Sequence, residues 1–453
     1  MKTFPYKKLC LLSGDIILII AAFYLGPVLR FGVFLDPLAM FEWADGVAIL
    51  ITLVTFYIFD FYNLDERPSS LGYILRFFVA IAIADILIAA LFYIFHIRPY
   101  GTTIFAMIAL MIFVFGLGWR NLFFRFGRQL GKVSRVLVIG GGEAGTALCR
   151  MLACRADFAV VGLLDDDGKK WDRMVENTRV IGSTELIGSF LHRVDMVIVA
   201  ITHSMNRELY RRLVEAKMKG VAVSMMPAFC EKIFYRIPIL HVADPWLISV
   251  PIFGVRKNIY NLKIKKVFDK LIALIGIILS FPIAFFTGLA IKLDSKGPVF
   301  YRQERVGRDG KTFELIKFRS MRVDAEVNGA VWAKDDDPRV TRIGRIIRLL
   351  RFDEIPQFIN VIKGEMSLVG PRPERPVFVK NLSEEIPYYS LRHAVPPGIT
   401  GWAQVNYPYG ASKEDALAKL EYDLYYIKNL SPLLDLIILA KTVRTVLFGK
   451  GAR

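Results

Sequence analysis

Four long apolar segments occupy roughly the first quarter of the chain and restrict the folds that are open to it. They cover residues 10–30, 47–63, 72–97 and 103–119. Each is close to the twenty or so apolar residues that an α-helix needs to cross a bilayer. Residues 1–130 are therefore predicted to form a four-helix transmembrane bundle. Asp85 lies inside the third segment, where a carboxylate is costly, and we expect it to make a polar contact with a neighbouring helix.

The charge balance supports a membrane protein. The chain has a formal net charge of +17, although 54% of its residues are hydrophobic. A membrane protein with a large basic cytoplasmic portion combines these properties, because lysine and arginine collect on the cytoplasmic side and attract anionic lipid. Nucleic-acid binding is another use of such charge, but the apolar segments argue against it. Cations flank both outer ends of the bundle, at Lys2, Lys7 and Lys8 before it and at Arg120, Arg125, Arg128, Lys132 and Arg135 after it. Both ends are predicted to be cytoplasmic.

The four cysteines, Cys10, Cys149, Cys154 and Cys230, show no CxxC or His/Cys metal-binding spacing. They are predicted to be reduced structural thiols.

Residues 131–245 change character and alternate buried strands with helical runs. The first strand runs into a turn that contains Gly140, Gly142 and Gly145, and a second strand ends at Asp165. This spacing is typical of a dinucleotide fingerprint, in which glycines admit phosphate to a helix N-terminus and the acid meets a ribose hydroxyl. We expect a Rossmann-like, doubly wound domain. It could bind a nucleotide through these four residues, or retain the architecture for docking or for a homodimer.

A fifth apolar segment, residues 267–291, has the length of a membrane span. Basic residues flank it on both sides, which favours two cytoplasmic ends. Pro282 lies near its middle and should kink a helix, while Ser280 could bind the freed carbonyls. These features predict a re-entrant helix that enters one leaflet and turns back. The alternative is a simple fifth span, which would place residues 292–453 outside the cell.

The stretch from Arg339 to Glu374 combines a series of cations with a pair of adjacent acids. A helix with arginines through it precedes the adjacent acids Asp353 and Glu354, and a second short helix ends near Gly364. Cations around an acidic pair suit a phosphorylated substrate and a divalent metal. The alternative is a solvated basic helix followed by an ordinary surface turn.

Several ordered motifs after residue 263 carry a resemblance to a known family. They are Lys317-Phe-Arg319-Ser-Met321, Asp337-Pro-Arg339, Asp353-Glu354, Gly370-Pro-Arg-Pro-Glu374 and the stretch from Pro397 to Tyr407. Together they closely resemble the bacterial polyprenyl-phosphate glycosyl-1-phosphate transferases, the large monotopic phosphoglycosyl transferases. The resemblance implies a mainly α, monotopic catalytic domain over residues 263–453, joined to the Rossmann-like domain by a linker over 246–262. The C-terminal stretch is similar to members that serve exopolysaccharide assembly.

The resemblance also implies a reaction. A sugar 1-phosphate passes from a nucleotide diphosphate sugar, with UDP expected, to undecaprenyl phosphate, and UMP leaves. Asp353 would attack the phosphorus nearest the sugar and form a covalent intermediate, while Glu354 would bind Mg²⁺. The cations implied as phosphate contacts are Lys317, Arg319, Arg348 and Arg372. Such a protein is expected in the bacterial inner membrane, with its catalytic and Rossmann-like domains on the cytoplasmic side and anionic lipid beside them.

Two departures from the family pattern concern local geometry. Phe281 separates Ser280 from Pro282 where many relatives have serine directly before proline, and Glu365 replaces a common aspartate. Two other functions stay open from the residues alone. One is a nucleotide-sugar dehydratase or epimerase that uses the glycine turn, although no Tyr-x-x-x-Lys pair follows it. The other is a non-catalytic membrane scaffold with a basic surface. Which sugar is transferred is also open, with glucose as the family-level expectation.

Overall fold

The computed structural model of the chain describes residues 6–32, 43–62, 68, 70–96, 101–127, 133–155, 157–202, 205–241, 263–323, 325, 337–407, 410 and 412–447. The chain forms two compact units, Met1–Lys132 and Val133–Arg453. The linker predicted over 246–262 lies outside the described residues, as does the boundary predicted between residues 130 and 131.

The first unit contains the apolar helices predicted from the hydropathy. They are α1 (Tyr6–Phe31), α2 (Trp43–Ile58), α3 (Leu71–Ile94) and α4 (Thr102–Gly127). By length and composition α1, α3 and α4 can each cross a membrane. The second helix lies earlier in the chain than predicted, since α2 has 16 residues and covers Trp43–Ile58 rather than residues 47–63. A span takes about twenty residues, so α2 alone falls short of one.

A buried ion pair joins α1 to α4 in this unit. Arg120 donates two hydrogen bonds to the carboxylate of Asp15, at 2.6 and 2.7 Å, and both side chains are almost fully buried. The guanidinium lies over the rings of Phe56 and Phe77, 5.0 and 4.7 Å from their centroids. Arg120 is therefore an interior residue of α4, and its prediction as a cation flanking the bundle is wrong. The contact predicted for Asp85 is also not observed, since no hydrogen bond joins it to another described residue.

The second unit begins with a six-stranded sheet. Its strands are β1 (Ser134–Ile139), β2 (Phe158–Leu164), β3 (Met174–Val175), β4 (Thr178–Gly182), β5 (Met196–Val199) and β6 (Ala222–Met225). The strand order is β3-β4-β2-β1-β5-β6, and every pair is parallel except β3 with β4. The predicted α/β alternation is thus present.

Helices cover both faces of this sheet. They are α5 (Glu143–Ala153), α6 (Ile187–Phe190), α7 (Arg207–Met218) and α8 (Met226–Phe234). Because strand side chains alternate between faces, β1 contributes to two cores. Val136 and Val138 belong to the core that contains residues of α5 and α8, whereas Leu137 and Ile139 belong to the core that contains residues of α6 and α7.

The remainder of the unit is mainly helical, as predicted. Its elements are α9 (Lys265–Asp294), β7 (Phe300–Val306), β8 (Thr312–Phe318), α10 (Arg342–Leu349), α11 (Gln357–Lys363), β9 (Ser367–Val369), α12 (Pro376–Glu385), β10 (Gly398–Thr400), α13 (Trp402–Asn406), α14 (Lys413–Lys428) and α15 (Pro432–Leu447). β7 and β8 pair antiparallel and form a hairpin around Gly307 and Gly310. β9 and β10 form a short parallel pair.

Helix α9 contains the fifth apolar segment and runs for 30 residues with Pro282 inside it. Large apolar side chains near its middle are exposed, with Leu279 at 73% and Phe286 at 66%. The Ser280 hydroxyl donates to the carbonyl of Gly276 at 2.6 Å. That carbonyl is not the one that a proline at position 282 leaves without a donor, which belongs to residue 278. The role suggested for Ser280 is therefore not the one observed.

Candidate active site

The acid pair lies on a short turn that hydrophobic neighbours hold in place. Helix α10 ends at Leu349, Arg351 adopts a left-handed conformation with φ of 59°, and Phe352–Glu354 form a single 3₁₀ turn. Phe352 and Ile355, on either side of the acids, pack against a buried cluster that includes Phe318. Because the apolar residues are held inward, Asp353 and Glu354 are fixed in the turn between them.

Three separate parts of the chain bring a cation to Glu354. Arg372, from the loop after β9, donates from Nη2 to Glu354 Oε1 at 2.9 Å. Lys317 reaches the same oxygen from β8, with its Nζ at 3.7 Å, and Arg351 reaches it from the turn, with its Nη1 at 3.7 Å. Lys317 lies on β8 between the buried residues Ile316 and Phe318. The predicted cluster of cations around the acids is therefore present at Glu354.

The two acids have opposite pKa shifts. Burial raises the pKa of Asp353 above its usual value, and the nearby Glu354 carboxylate adds to this, while Lys317 and Arg348 oppose it. Burial would also raise the pKa of Glu354, but Arg372, Lys317 and Arg351 together outweigh it and lower that pKa to about 2. Burial lowers the pKa of Lys317, against the attraction of Glu354. Glu354 is thus held as a carboxylate, and Asp353 is the more basic member of the pair.

Both acids open into a cleft of about 570 Å³, which we call the basic cleft. The described residues that line it include four acids, Asp353, Glu354, Glu374 and Asp423. They also include eleven cations: Arg305, Lys317, Arg319, Arg322, Arg339, Arg348, Arg351, Arg372, Arg375, Arg392 and Lys419. All six residues predicted for the catalytic site lie in this lining. Such an excess of positive charge suits a polyanionic ligand.

Lys317 and Arg372 contact Glu354, whereas the other two predicted phosphate contacts, Arg348 and Arg319, have partners outside the acid pair. Arg348 donates from Nε to the Ser320 hydroxyl at 2.8 Å. Arg319 is buried, and its guanidinium donates to the backbone carbonyls of Ser295 and Lys296 at 2.8 and 3.0 Å. Arg319 therefore fixes the turn that follows α9, and its prediction as a phosphate contact stays untested.

The acid pair also fits a divalent cation. Among the described residues no group of three or more His, Cys, Asp or Glu side chains could hold a metal ion. Mg²⁺ is usually held by one or two carboxylates together with phosphate oxygens of a substrate. Asp353 and Glu354 supply those carboxylates in a cleft suited to phosphate, so the residues present fit a metal that binds with its substrate.

The glycine turn lies between β1 and α5, and its predicted acid, Asp165, forms hydrogen bonds within the protein. Gly140 has a φ of 107°, and a Cβ on Gly145 would lie 1.8 Å from the Gly140 carbonyl oxygen. Asp165 accepts hydrogen bonds from the Gly141 backbone N–H at 2.7 Å and from Lys170 Nζ at 3.0 Å. Gly142 is the N-cap of α5. The glycines thus allow close packing of strand and helix, and the nucleotide predicted here stays a prediction.

Other residues of the basic cleft were not predicted from the sequence. Arg351 precedes the acid pair by two positions, so its place in the arginine series was a usable signal. Arg305, Arg392 and Lys419 carried no local signal, because they approach the site from β7, from the segment before β10 and from α14.

Comparison with known proteins bears on both parts of the second unit. Residues 260–449 match the family model "Bacterial sugar transferase", and residues 57–227 match the model "CoA-binding domain". The second range begins in α2 and ends in α8, so it extends across both compact units. The first range contains every residue predicted for the catalytic site.

The chain is similar to several bacterial transferases over these ranges. It is 45% identical, over 54% of its length and 57% of the relative, to the UDP-N-acetylgalactosamine-undecaprenyl-phosphate N-acetylgalactosaminephosphotransferase of Aeromonas hydrophila. It is 33% identical, over 72% of its length and 61% of the relative, to the undecaprenyl-phosphate glucose phosphotransferase of Komagataeibacter xylinus. The exopolysaccharide production protein PSS of Rhizobium leguminosarum bv. phaseoli is 41% identical over 42% of this chain and 99% of its own length.

The chain belongs to the bacterial sugar transferase family. It aligns with less than two thirds of the length of the first two of these relatives.

Proposed function

We propose that this protein transfers a sugar 1-phosphate from a nucleotide diphosphate sugar, such as a UDP-sugar, to undecaprenyl phosphate and releases UMP. The observation that carries the proposal is the geometry at Glu354, where Lys317, Arg351 and Arg372 converge beside the buried carboxylate of Asp353. These cations offset the charge of a diphosphate, and the adjacent acid is available as a nucleophile.

In the first step the Asp353 carboxylate attacks the phosphorus nearest the sugar. A bond forms between the carboxylate oxygen and that phosphorus, and the bond to the bridging oxygen breaks, so UMP leaves with the electron pair. Asp353 must be deprotonated to attack. Because its pKa is raised, the deprotonated carboxylate is more basic and is a better nucleophile. Arg348 and Arg372 face the transferred group and offset its charge.

In the second step an oxygen of undecaprenyl phosphate attacks the same phosphorus and frees the carboxylate. The product is an undecaprenyl diphosphate sugar, the first membrane-bound intermediate of exopolysaccharide or related glycan assembly. A Mg²⁺ ion held by Glu354 and substrate phosphates would neutralise part of the negative charge of the donor. This would reduce the electrostatic repulsion between the donor and an attacking anion.

The contacts of α9 support a re-entrant arrangement of this helix. Near its start, Lys265 Nζ lies 2.6 Å from the Asp435 carboxylate of α15. Near its end, Ile291 packs with Ile347 of α10. Both ends therefore contact the same C-terminal portion, while apolar side chains between them are exposed. A helix that simply crossed the bilayer would separate these ends. We place the C-terminal portion on the cytoplasmic face of the inner membrane, where donor and lipid phosphate meet.

A panel of nucleotide sugars with undecaprenyl phosphate and Mg²⁺, scored by release of nucleoside monophosphate, tests the reaction. The panel includes glucose, galactose and N-acetylgalactosamine donors, since the relatives are named for different sugars. Asp353→Asn should abolish both turnover and a trapped phosphosugar adduct. Asp309→Asn is the matched control, because Asp309 lies in the β7–β8 turn and is not among the residues that line the basic cleft. Turnover by Asp353→Asn at the level of the control would refute the nucleophile.

Accessibility of a tag at residue 453 tests the placement. We expect the tag to be labelled only after the cells are permeabilised, when the reagent reaches the cytoplasm. Labelling from outside intact cells would overturn the re-entrant arrangement and leave the chemistry to be judged by the donor panel.

A further inference from the structure

The loop that carries Arg372 is held by its backbone carbonyls. Pro371 and Pro373 lack an N–H, so the loop has few donors of its own. Donors from elsewhere in the fold reach each carbonyl from residue 371 to residue 374. They are Gly398 N for Pro371 at 2.9 Å, Arg392 Nη2 for Arg372 at 3.0 Å, Arg305 Nη1 for Pro373 at 3.1 Å and Val306 N for Glu374 at 2.9 Å. Two of these four donors are guanidinium groups.

Arg392 is the better fixed of the two arginines. It is 6% exposed, and its Nη1 donates to the Tyr389 hydroxyl at 2.6 Å. Its Nη2 donates both to Asp423 at 2.8 Å and to the Arg372 carbonyl. Asp423 is 1% exposed and lies on α14. A planar guanidinium can hold these directions at once, whereas a lysine ammonium offers a single point charge.

Arg305 approaches the loop from β7. Besides its bond to the Pro373 carbonyl, its Nη1 lies 3.6 Å from the Glu374 carboxylate. The next residue, Val306, donates its backbone N–H to the Glu374 carbonyl. The hairpin therefore fixes the end of the loop, and Arg392 fixes its middle.

We propose that Arg392 and Arg305 are positioning residues, which hold the Gly370–Glu374 loop so that the Arg372 side chain faces Glu354 and the substrate phosphates. The inference rests on the proposed function for its effect on the reaction, but its structural part stands on the backbone contacts alone. Arg372 links the loop backbone to the acid pair, since its carbonyl accepts from Arg392 and its guanidinium donates to Glu354. A misplacement of about 1 Å at such a group can cost about a hundredfold in rate.

A double-mutant cycle tests the effect on the reaction. Arg392→Lys should lower kcat by about tenfold to a hundredfold, with a smaller change in KM. In an Arg372→Ala background the same substitution should have little further effect, because the group it positions is already absent. Arg319→Lys is the matched control: Arg319 is also a buried arginine that donates to backbone carbonyls, but it holds the turn after α9. Its effect should be additive with that of Arg372→Ala.

Hydrogen exchange of the full-length protein tests the structural part without any turnover. The backbone amides of Val306 and Gly398, which donate to the Glu374 and Pro371 carbonyls of this loop, should take up deuterium faster in Arg392→Lys and in Arg305→Lys than in the wild type and in Arg319→Lys. Unchanged exchange in the first two variants would overturn the positioning role, and so would additive losses of kcat in the cycle with Arg372→Ala. A wild-type protein without turnover on any donor would refute the proposed function instead, while the exchange result would still decide the role of the two arginines.

Discussion

Trp402 donates its indole N–H to the backbone carbonyl of Tyr235 at 2.9 Å. Tyr235 directly follows α8 of the sheet, whereas Trp402 begins α13, whose residues Ala403 and Gln404 line the basic cleft. The indole also stacks on Tyr425 of α14. The segment after the sheet is thus bonded to an element of the candidate active site, and this contact helps to join the two parts of the second unit.

Trp402→Phe should destabilise this junction. The substitution keeps an aromatic ring against Tyr425 but removes the donor to the part-buried Tyr235 carbonyl, at a cost of about 0.5–1.5 kcal/mol, typical of one hydrogen bond. Thermal unfolding of the purified protein measures the loss. Trp43→Phe is the control, because Trp43 is 66% exposed. Equal melting temperatures for the two variants would show that the Trp402 bond does not stabilise the junction.

A second contact of the junction should make its stability depend on pH. Glu421 of α14 lies 3.4 Å from Arg236 Nη1, yet burial dominates and raises its pKa to about 7. The native state therefore binds a proton more tightly than the unfolded chain, where the pKa is near 4.5. This contribution to stability is present at low pH and is lost as the pH rises from about 4.5 to about 7, by about 3 kcal/mol at most.

Comparison of Glu421→Gln with the wild type isolates this group. Glutamine has no charge to bury, so the variant should gain stability relative to the wild type between pH 5 and pH 8. Other buried acids, such as Asp423 with its pKa raised to about 6, are present in both proteins and cancel in the difference. Melting temperatures that change in parallel across this range would contradict the assignment.

Lys317 should determine the pH at which the reaction rate rises on the acidic side of the pH–rate profile, which we call the acid limb. Burial raises the pKa of Asp353, and Lys317 is the strongest influence that lowers it. If the carboxylate is the nucleophile, the rate rises as the pH rises through this pKa. Lys317→Met removes the cation, so the pKa of Asp353 should rise further and the limb should move to higher pH.

The pH profile of UMP release measures this shift. Lys317→Arg is the control, because it keeps the charge and should leave the limb near its wild-type position, whatever its effect on the maximal rate. A limb that stays in place in Lys317→Met would show that another group limits the reaction at low pH.

Much of the local structure near the acids could be predicted from the sequence. Thr341 caps α10 by accepting from the Gly344 N–H, and Gly364 ends α11 in a left-handed conformation with φ of 83°. Both signals are local, since caps and glycine stops act within a few residues. The gathering of Lys317, Arg348 and Arg372 in one cleft came from the resemblance, because periodicity alone left a surface turn as an equal alternative.

Side-chain partners far apart in the chain were beyond such reasoning. Arg392 reaches the Arg372 carbonyl across 20 residues and Asp423 across 31 residues, and no local pattern records either contact. Arg319 illustrates a second limit. A cation in a motif looks the same in sequence whether it faces a substrate or, as here, the backbone of Ser295. Hydropathy has a third limit, because a window average over residues 10–30 conceals a single buried carboxylate at Asp15.

That carboxylate leads to a prediction for the first unit. Asp15→Ala should leave the guanidinium of Arg120 buried without a counter-charge among aromatic rings, which typically costs about 3–5 kcal/mol. The double variant Asp15→Leu/Arg120→Met replaces both charges with apolar side chains and should recover most of the loss, because no unpaired charge then stays buried. Thermal unfolding of the detergent-solubilised protein measures both. Asn121→Ala is the control, since Asn121 is exposed and its side chain donates to the Leu117 carbonyl of its own helix. If Asp15→Ala unfolds at the same temperature as Asn121→Ala, the ion pair does not hold α1 to α4.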